Sequence, residues 1–420
     1  MKGEGETNID DLASKLVLSD ALTKKSEVFA TLAHQAEEQG IYLASIHPLY
    51  RARGRGEFGG FTVPAINLRT LTYDLARAIF RVAQQDNAGA FIFEIAKSEI
   101  GYTAQCPLEY TGVCLAAAIK EGWNGAVFIQ GDHFQVNRAR YHQNPHEEME
   151  ILKNLIREAL AAGFYNIDID SSTLVDLSKE EIKEEQRSNY AVCADLSQFI
   201  RSLQPRGVEV SIGGEIGEIG RKNSTPEELE AFMEGYQEEL GSSFEGISKI
   251  SVQTGTSHGG IVLPDGSVAR VKLDFDTLKT LSRLAREKYG LAGAVQHGAS
   301  TLPEEAFHKF PEIETAEIHL ATQFQNMVFE SVYFPRELKE RMYAWIKQHC
   351  RDEWKKGETE EQFIYKTRKR ALGPFKKEIS ELKPEIKKAI AAEVEEKIAF
   401  IFLKLNIGST TSHINRYISP

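Results

Sequence analysis

Three histidines in this chain close short apolar runs: Gly131-Asp132-His133, Ser257-His258-Gly259-Gly260 and Gln296-His297-Gly298-Ala299-Ser300. A fourth run ends on a carboxylate, Gly213-Gly214-Glu215. Imidazole nitrogens with one carboxylate are the donor set of a zinc-like divalent ion, and three firm ligands leave the open position that catalysis needs. His133, His258 and His297 are therefore candidate metal ligands, with Glu215 as a fourth or alternating one. Any one of these histidines alone would read as an ordinary hydrogen-bonded polar group. Three of the chain's 11 histidines at run ends form a pattern that folding does not require. The turns around them carry a second signal. Gly259-Gly260 and Gly298-Ala299-Ser300 let backbone N–H groups approach an oxyanion, and Thr322 could add a hydroxyl donor.

These residues need a scaffold that brings run ends to one place. From residue 61, β-branched apolar runs alternate with stretches of helical period. The runs are 61–68, 88–96, 124–134, 164–170, 208–217, 249–260, 291–300 and 315–323. Between them lie helix candidates such as TYDLARAIFRVAQQ and TPEELEAFMEGYQEEL; Ser224-Thr225-Pro226 opens one, and Gly163 and Gly290 close others. Continuous apolar strands are buried on both faces, the mark of a parallel sheet. Eight of them with intervening helices predict an α/β fold, a (β/α)8 TIM barrel, whose active sites sit at the carboxyl ends of the strands. An open doubly wound sheet is the runner-up, disfavoured because Pro64-Ala65-Ile66-Asn67-Leu68 stands where a glycine-rich turn would follow the first strand. Residues 1–60 read as an N-terminal helical extension and a polar linker, in which Arg51, Arg53 and Arg55 are expected to form a solvated basic loop or to bind an anion. Residues 61–334 form the barrel, and the charged residues 335–420 a C-terminal helical appendage, packed on the barrel or on a neighbouring subunit.

Composition narrows the function. The 420 residues are 42% hydrophobic and 26% charged, which excludes a largely disordered chain. A net charge of −11 argues against nucleic acid or an anionic membrane as partner, though not against a small anion in a local basic pocket. Cys106, Cys114, Cys193 and Cys350 show no C-x-x-C pairing, so a reducing cytoplasm is the expected compartment.

The ordered set VPAIN, GDH, DIDSS, GGEIG, GTSHG followed by VKLDFDTLK, HGAS and EIHLAT resembles the class II, metal-dependent ketose-bisphosphate aldolases. The resemblance implies cleavage of fructose or tagatose 1,6-bisphosphate to glycerone phosphate and an aldehyde, with Zn2+, alone or beside a monovalent cation, as cofactor. It assigns His133, His258, His297 and Glu215 to the metal, Asp132 to acid/base work, and Gly259, Gly298, Ser300 and Thr322 to phosphate. By analogy it also implies a homo-oligomer. The departures are specific. His319 stands where the family usually has asparagine, which puts it among the catalytic candidates. In Glu94-Ile95-Ala96-Lys97-Ser98 an expected serine is replaced by Ala96, leaving Lys97 or Ser98 to meet phosphate. Val262 replaces a usual lysine, and Glu218 and Glu227 are candidates for a loop base, each as readily a solvated carboxylate. The first sixty residues and the C-terminal appendage match no motif of typical catalytic members. Gly131-Asp132-His133-Phe134-Gln135-Val136-Asn137 also resembles a segment of long non-catalytic subunits of tagatose-bisphosphate aldolase systems. A non-catalytic barrel subunit, or an aldolase of altered sugar-phosphate specificity, are the alternatives.

Overall fold

In the computed structural model, residues 8–217, 222–255, 263–264 and 273–419 are described. Among the described residues nine strands form: β1 (Ile41–Leu43), β2 (Val63–Asn67), β3 (Ile92–Ala96), β4 (Gly125–Gln135), β5 (Asn166–Asp170), β6 (Ser211–Glu215), β7 (Lys249–Val252), β8 (Ala294–Gln296) and β9 (Glu317–Leu320). The strands from β2 to β9 pair in parallel with their sequence neighbours, and β2 closes the ring on β9 through Val63–Glu317 and Ala65–His319. Every residue of β2, β3 and β5 is buried. That is why these strands read as unbroken apolar runs. The result is the expected (β/α)8 barrel, with helices at both ends of the chain. Helix boundaries follow local chemistry. Thr225 and Glu228 form a capping box ahead of Pro226, and Gly290 ends its helix in the left-handed region.

The barrel axis is charged rather than oily. Lys249 Nζ donates to Glu317 Oε1 (2.6 Å), Gln130 Oε1 (2.7 Å) and Asp168 Oδ2 (3.0 Å). Gln130 Nε2 in turn donates to Glu317 Oε1 (2.9 Å) and Glu94 Oε2 (3.1 Å). These residues come from strands that are not all neighbours, so their side chains meet across the barrel interior. Burying such ions requires mutual pairing, which the network provides.

The segment expected to be a basic linker behaves differently. His47–Gly54 is a helix that closes the amino end of the barrel, where Tyr50 donates its hydroxyl to Glu317. Arg53 is buried, bonded to the Phe61 carbonyl (2.5 Å), the Thr315 carbonyl (3.1 Å) and Glu314 Oε2 (3.1 Å). Arg51 pairs with Glu245 at 2.9 Å, and only Arg55 keeps to the exposed surface, beside Glu57. Arg53 and Arg51 are thus tied into the barrel base rather than open to an anion, while Arg55 keeps the solvated setting that the sequence suggests. Ahead of this helix, β1 pairs with the amino end of β4 through Ile41–Gly125.

The C-terminal helices pack on the barrel. Pro384–Lys404 lies against Thr72–Gln85, where Arg81 grips Glu395 at 2.7 Å. Among the described residues no helix is long and apolar enough to cross a membrane, and the four cysteines are free thiols.

Candidate active site at the carboxyl end of the barrel

The strand ends deliver their polar side chains to one mouth. His133 sits at a register shift between β4 and β5 and has a left-handed backbone, φ 40°. Such bulges re-aim a side chain at modest cost and gather at functional sites. Here the irregularity brings His133 Nδ1 to 3.1 Å from Asp170 Oδ2 and 3.2 Å from Glu215 Oε2. The His133 and His297 rings lie 4.2 Å apart, and His297 Nε2 is 3.5 Å from Asp132 Oδ1. His319 packs its ring 4.1 Å from that of His297. Its Nδ1 faces Glu94 (3.0 Å) and Asp132 (3.2 Å), and its Nε2 faces Glu317 (2.7 Å) and Asp168 (3.6 Å).

Asp132, His133, Glu215 and His297 therefore converge, as their run-end positions suggested, and His319, singled out only through the resemblance, joins them. His258 and Gly259 lie outside the described residues, as do Glu218 and Val262. Asp132, His133, His297 and His319 line a cavity of about 490 Å³ together with Lys97, Gly298, Ser300 and Thr322. Gly298 opens the turn Ala299–Thr301 in the left-handed region, φ 69°, which glycine adopts without steric cost. Lys97 is less free than its place suggests, for its ammonium bonds to the Gln135 carbonyl (2.7 Å) and Glu148 (3.1 Å). Glu227 is an exposed residue in the first turn of Pro226–Leu240, which favours a solvated carboxylate.

Ligand atoms of Asp132, His133 and His297 fall within 4.8 Å of one another, as do those of His133, Asp170 and Glu215. Imidazole nitrogen with carboxylate oxygen is zinc-type chemistry, so the residues present fit such an ion. Asp170, in the DIDSS motif, adds a donor to which the sequence alone assigns no role.

The electrostatics divide the carboxylates. Burial alone would raise Asp132, yet the His133 and His319 charges outweigh it and hold that carboxyl well below its usual range. Glu215 is pushed up to about 7 by burial and by Asp170, and Glu94 also to about 7 by burial, against the pull of His319. Asp170 is drawn down to about 2: burial opposes this, but its bond to His133 and the charge on that ring prevail. His319 is raised despite burial because Glu94 and Asp132 face it, whereas burial and the other two imidazoles push His297 down. Titratable groups driven apart in one cleft are a mark of acid/base sites.

The backbone is similar to the fructuronate-tagaturonate epimerase UxaE from Cohnella laeviribosi, with TM-score 0.58 and 13% identity over 83% of this chain and 82% of that one. It is also similar to the fructose-bisphosphate aldolase from Campylobacter jejuni, with TM-score 0.53 and 17% identity over 88% and 97%. At these identities the likeness speaks for the fold. No curated protein matches the sequence significantly. The sequence does match the family described as fructose-bisphosphate aldolase class-II over residues 55–403, a span that includes most of the C-terminal helices that motifs alone left unmatched. The chain belongs to the class II fructose-bisphosphate aldolase family.

Proposed function

We propose that this chain is a metal-dependent aldolase that cleaves and re-forms a phosphorylated ketose, fructose or tagatose 1,6-bisphosphate, giving glycerone phosphate and an aldehyde. The observation that carries the reading is the setting of Asp132, a buried carboxylate with His133, His297 and His319 around one of its oxygens. His133 and His297, with Glu215 or Asp170, would hold the ion, and zinc bound there would supply Lewis acidity toward the substrate's carbonyl. Asp132, kept ionised by its imidazole neighbours, takes the proton of the C4 hydroxyl as the C3–C4 bond breaks. The bonding electron pair passes to the ketone-bearing fragment as an enediolate, which takes up one proton at C3 to become glycerone phosphate, and the C4 carbon leaves as the aldehyde. In the reverse direction the same carboxyl returns the proton. Gly298, Ser300 and Thr322 offer N–H and hydroxyl donors to a phosphate, binding away from the reacting bond that orients it. His319 holds Asp132 from one side and the Glu317 network from the other, so it acts as a positioning residue. Lys97, engaged by Glu148, supports a second reading in which the phosphate clamp is weakened and the sugar specificity altered.

The test is cleavage of both ketose bisphosphates, followed by a coupled triose-phosphate assay. Asp132→Asn is expected to lower kcat by about 10²–10⁴-fold with KM little changed. An unchanged kcat would overturn the assignment.

A further inference from the structure

The C-terminal segment reaches the mouth of the barrel and puts a lysine into the active-site wall. The turn Arg368–Ala371 is wedged between the helices Lys97–Thr103 and Thr322–Glu330, which follow β3 and β9. On one side Arg368, buried, donates to Asn326 Oδ1 (2.6 Å) and Glu330 Oε1 (2.8 Å), with its guanidinium 5.2 Å from the Phe329 ring centroid. On the other, Gly373 N–H donates to the Tyr102 carbonyl at 3.0 Å. A Cβ on Gly373 would fall 2.6 Å from that oxygen, so the close approach requires glycine. Clamped between these anchors, Lys369 and Tyr102 line the same cavity as Asp132, His133, His297 and His319.

The other described cations of that wall are engaged. Arg69 pairs with Glu99 (2.6 Å) and donates to Gln325 (3.1 Å), while Lys97 (3.1 Å) and Arg140 (2.6 Å) share Glu148. Among the described residues Lys369 has no ion-pair or hydrogen-bond partner; its ammonium stands 5.6 Å from the Tyr102 ring centroid. The hydroxyl of Tyr102 is buried and likewise has no hydrogen-bond partner among them. An unmatched ammonium and an orphaned hydroxyl side by side in one wall are both donors, and an arriving oxyanion would satisfy both. Burial, with Arg69 nearby, holds Lys369 below the usual lysine range, a disadvantage that a bound anion would remove.

We propose that Lys369 and Tyr102 form the subsite for the second anionic end of the substrate, so that the C-terminal segment sets the preference for doubly charged sugars. The proposal rests on the aldolase reading and deepens it by naming the residues that meet the substrate's second charge. The ligand chemistry is a terminal oxyanion, either a phosphate or a carboxylate. Neither side chain is a metal candidate or a proton carrier in the reaction.

The test uses the full zinc-loaded chain with non-cleavable probes in titration calorimetry: a hexitol 1,6-bisphosphate, a hexitol monophosphate and 6-phosphogluconate, whose far end is a carboxylate. Lys369→Met is expected to weaken the bisphosphate more than about tenfold and leave the monophosphate within about twofold, the size of a lost charge-assisted contact. Lys369→Arg should retain most of the affinity. Tyr102→Phe, which keeps the ring, should cost about three- to tenfold on the same probe. A loss with 6-phosphogluconate as large as with the bisphosphate means that the subsite takes a carboxylate as well as a phosphate; a loss confined to the bisphosphate identifies a phosphate subsite. In turnover, KM for the ketose bisphosphate should rise with kcat nearly constant. Unaltered affinity for both doubly charged probes, or an equal loss for the monophosphate, would overturn the proposal. If the wild type cleaves no ketose, the aldolase reading fails, while the probe comparison still decides the role of Lys369.

Discussion

His319 stands where the resemblance implies an asparagine, and its surroundings explain what a histidine does there. One nitrogen faces Glu94 and Asp132, and the other faces Glu317 and Asp168, all buried. Asparagine could not neutralise such a ring of acids. His319→Asn should therefore lose about 3–5 kcal/mol of stability, the usual cost of stranding buried charges, measured as a drop in the urea midpoint. Asp132→Asn removes a facing carboxylate that is held well below its usual range, so the double variant should recover part of the loss. It should recover none if the imidazole merely fills space. Glu94 itself is already pushed up to about 7, chiefly by burial, so Glu94→Gln alone should change stability little near neutral pH.

At the scale of elements, the two glycine approaches that seat the extensions are the most exposed to test. A Cβ on Gly54 would lie 2.0 Å from the Gly290 carbonyl oxygen, and one on Gly373 would lie 2.6 Å from the Tyr102 carbonyl oxygen. Both neighbours are backbone and cannot swing aside. Gly54→Ala should cost on the order of 1–3 kcal/mol by thermal unfolding. Gly373→Ala should lift the segment bearing Lys369, raising KM for a doubly charged substrate while the site beneath stays intact. An unchanged KM would separate the segment from the substrate. The same elements show what the sequence could and could not reveal. The eight barrel strands were legible because burial on both faces leaves contiguous apolar letters. β1, only Ile41–Leu43, is too short to register against its surroundings. The helix His47–Gly54 was hidden because Arg51, Arg53 and Arg55 look like solvent-facing charge. The partners that bury Arg53 lie some 260 residues away at Glu314 and Thr315, a separation no local pattern encodes. Asp132, His133, Glu215 and His297 were legible as strand-end residues and His319 only through the resemblance, whereas Lys369 sits in a charged stretch like any surface helix and gains meaning only through docking.

For the whole molecule, pH acts at the barrel base as well as at the mouth. His47 is 2% exposed and pulled down to about 3, first by burial and then by Arg201 and Arg51. Glu209 and Glu245 stand 3.6 and 3.8 Å from it, but both are open to solvent, and Glu245 is held by Arg51. The folded value lies below the ordinary 6.5, so stability is fully present above pH 6.5 and is lost as pH falls toward 3. Between pH 7 and pH 5 the wild type should lose about 2 kcal/mol more than His47→Asn, read from urea midpoints at each pH. Parallel curves would mean that His47 titrates normally. The proposed metal chemistry belongs to the mouth, where His133, His297 and His319 gather with Asp132, Asp170 and Glu215. Its most direct test is cleavage of fructose and tagatose 1,6-bisphosphate by protein stripped with EDTA and then titrated with zinc, with bound metal counted. Stripped protein should cleave neither sugar, with recovery that saturates near about one zinc per chain and fails in His297→Ala. Cleavage undiminished in protein shown to hold no metal would contradict it.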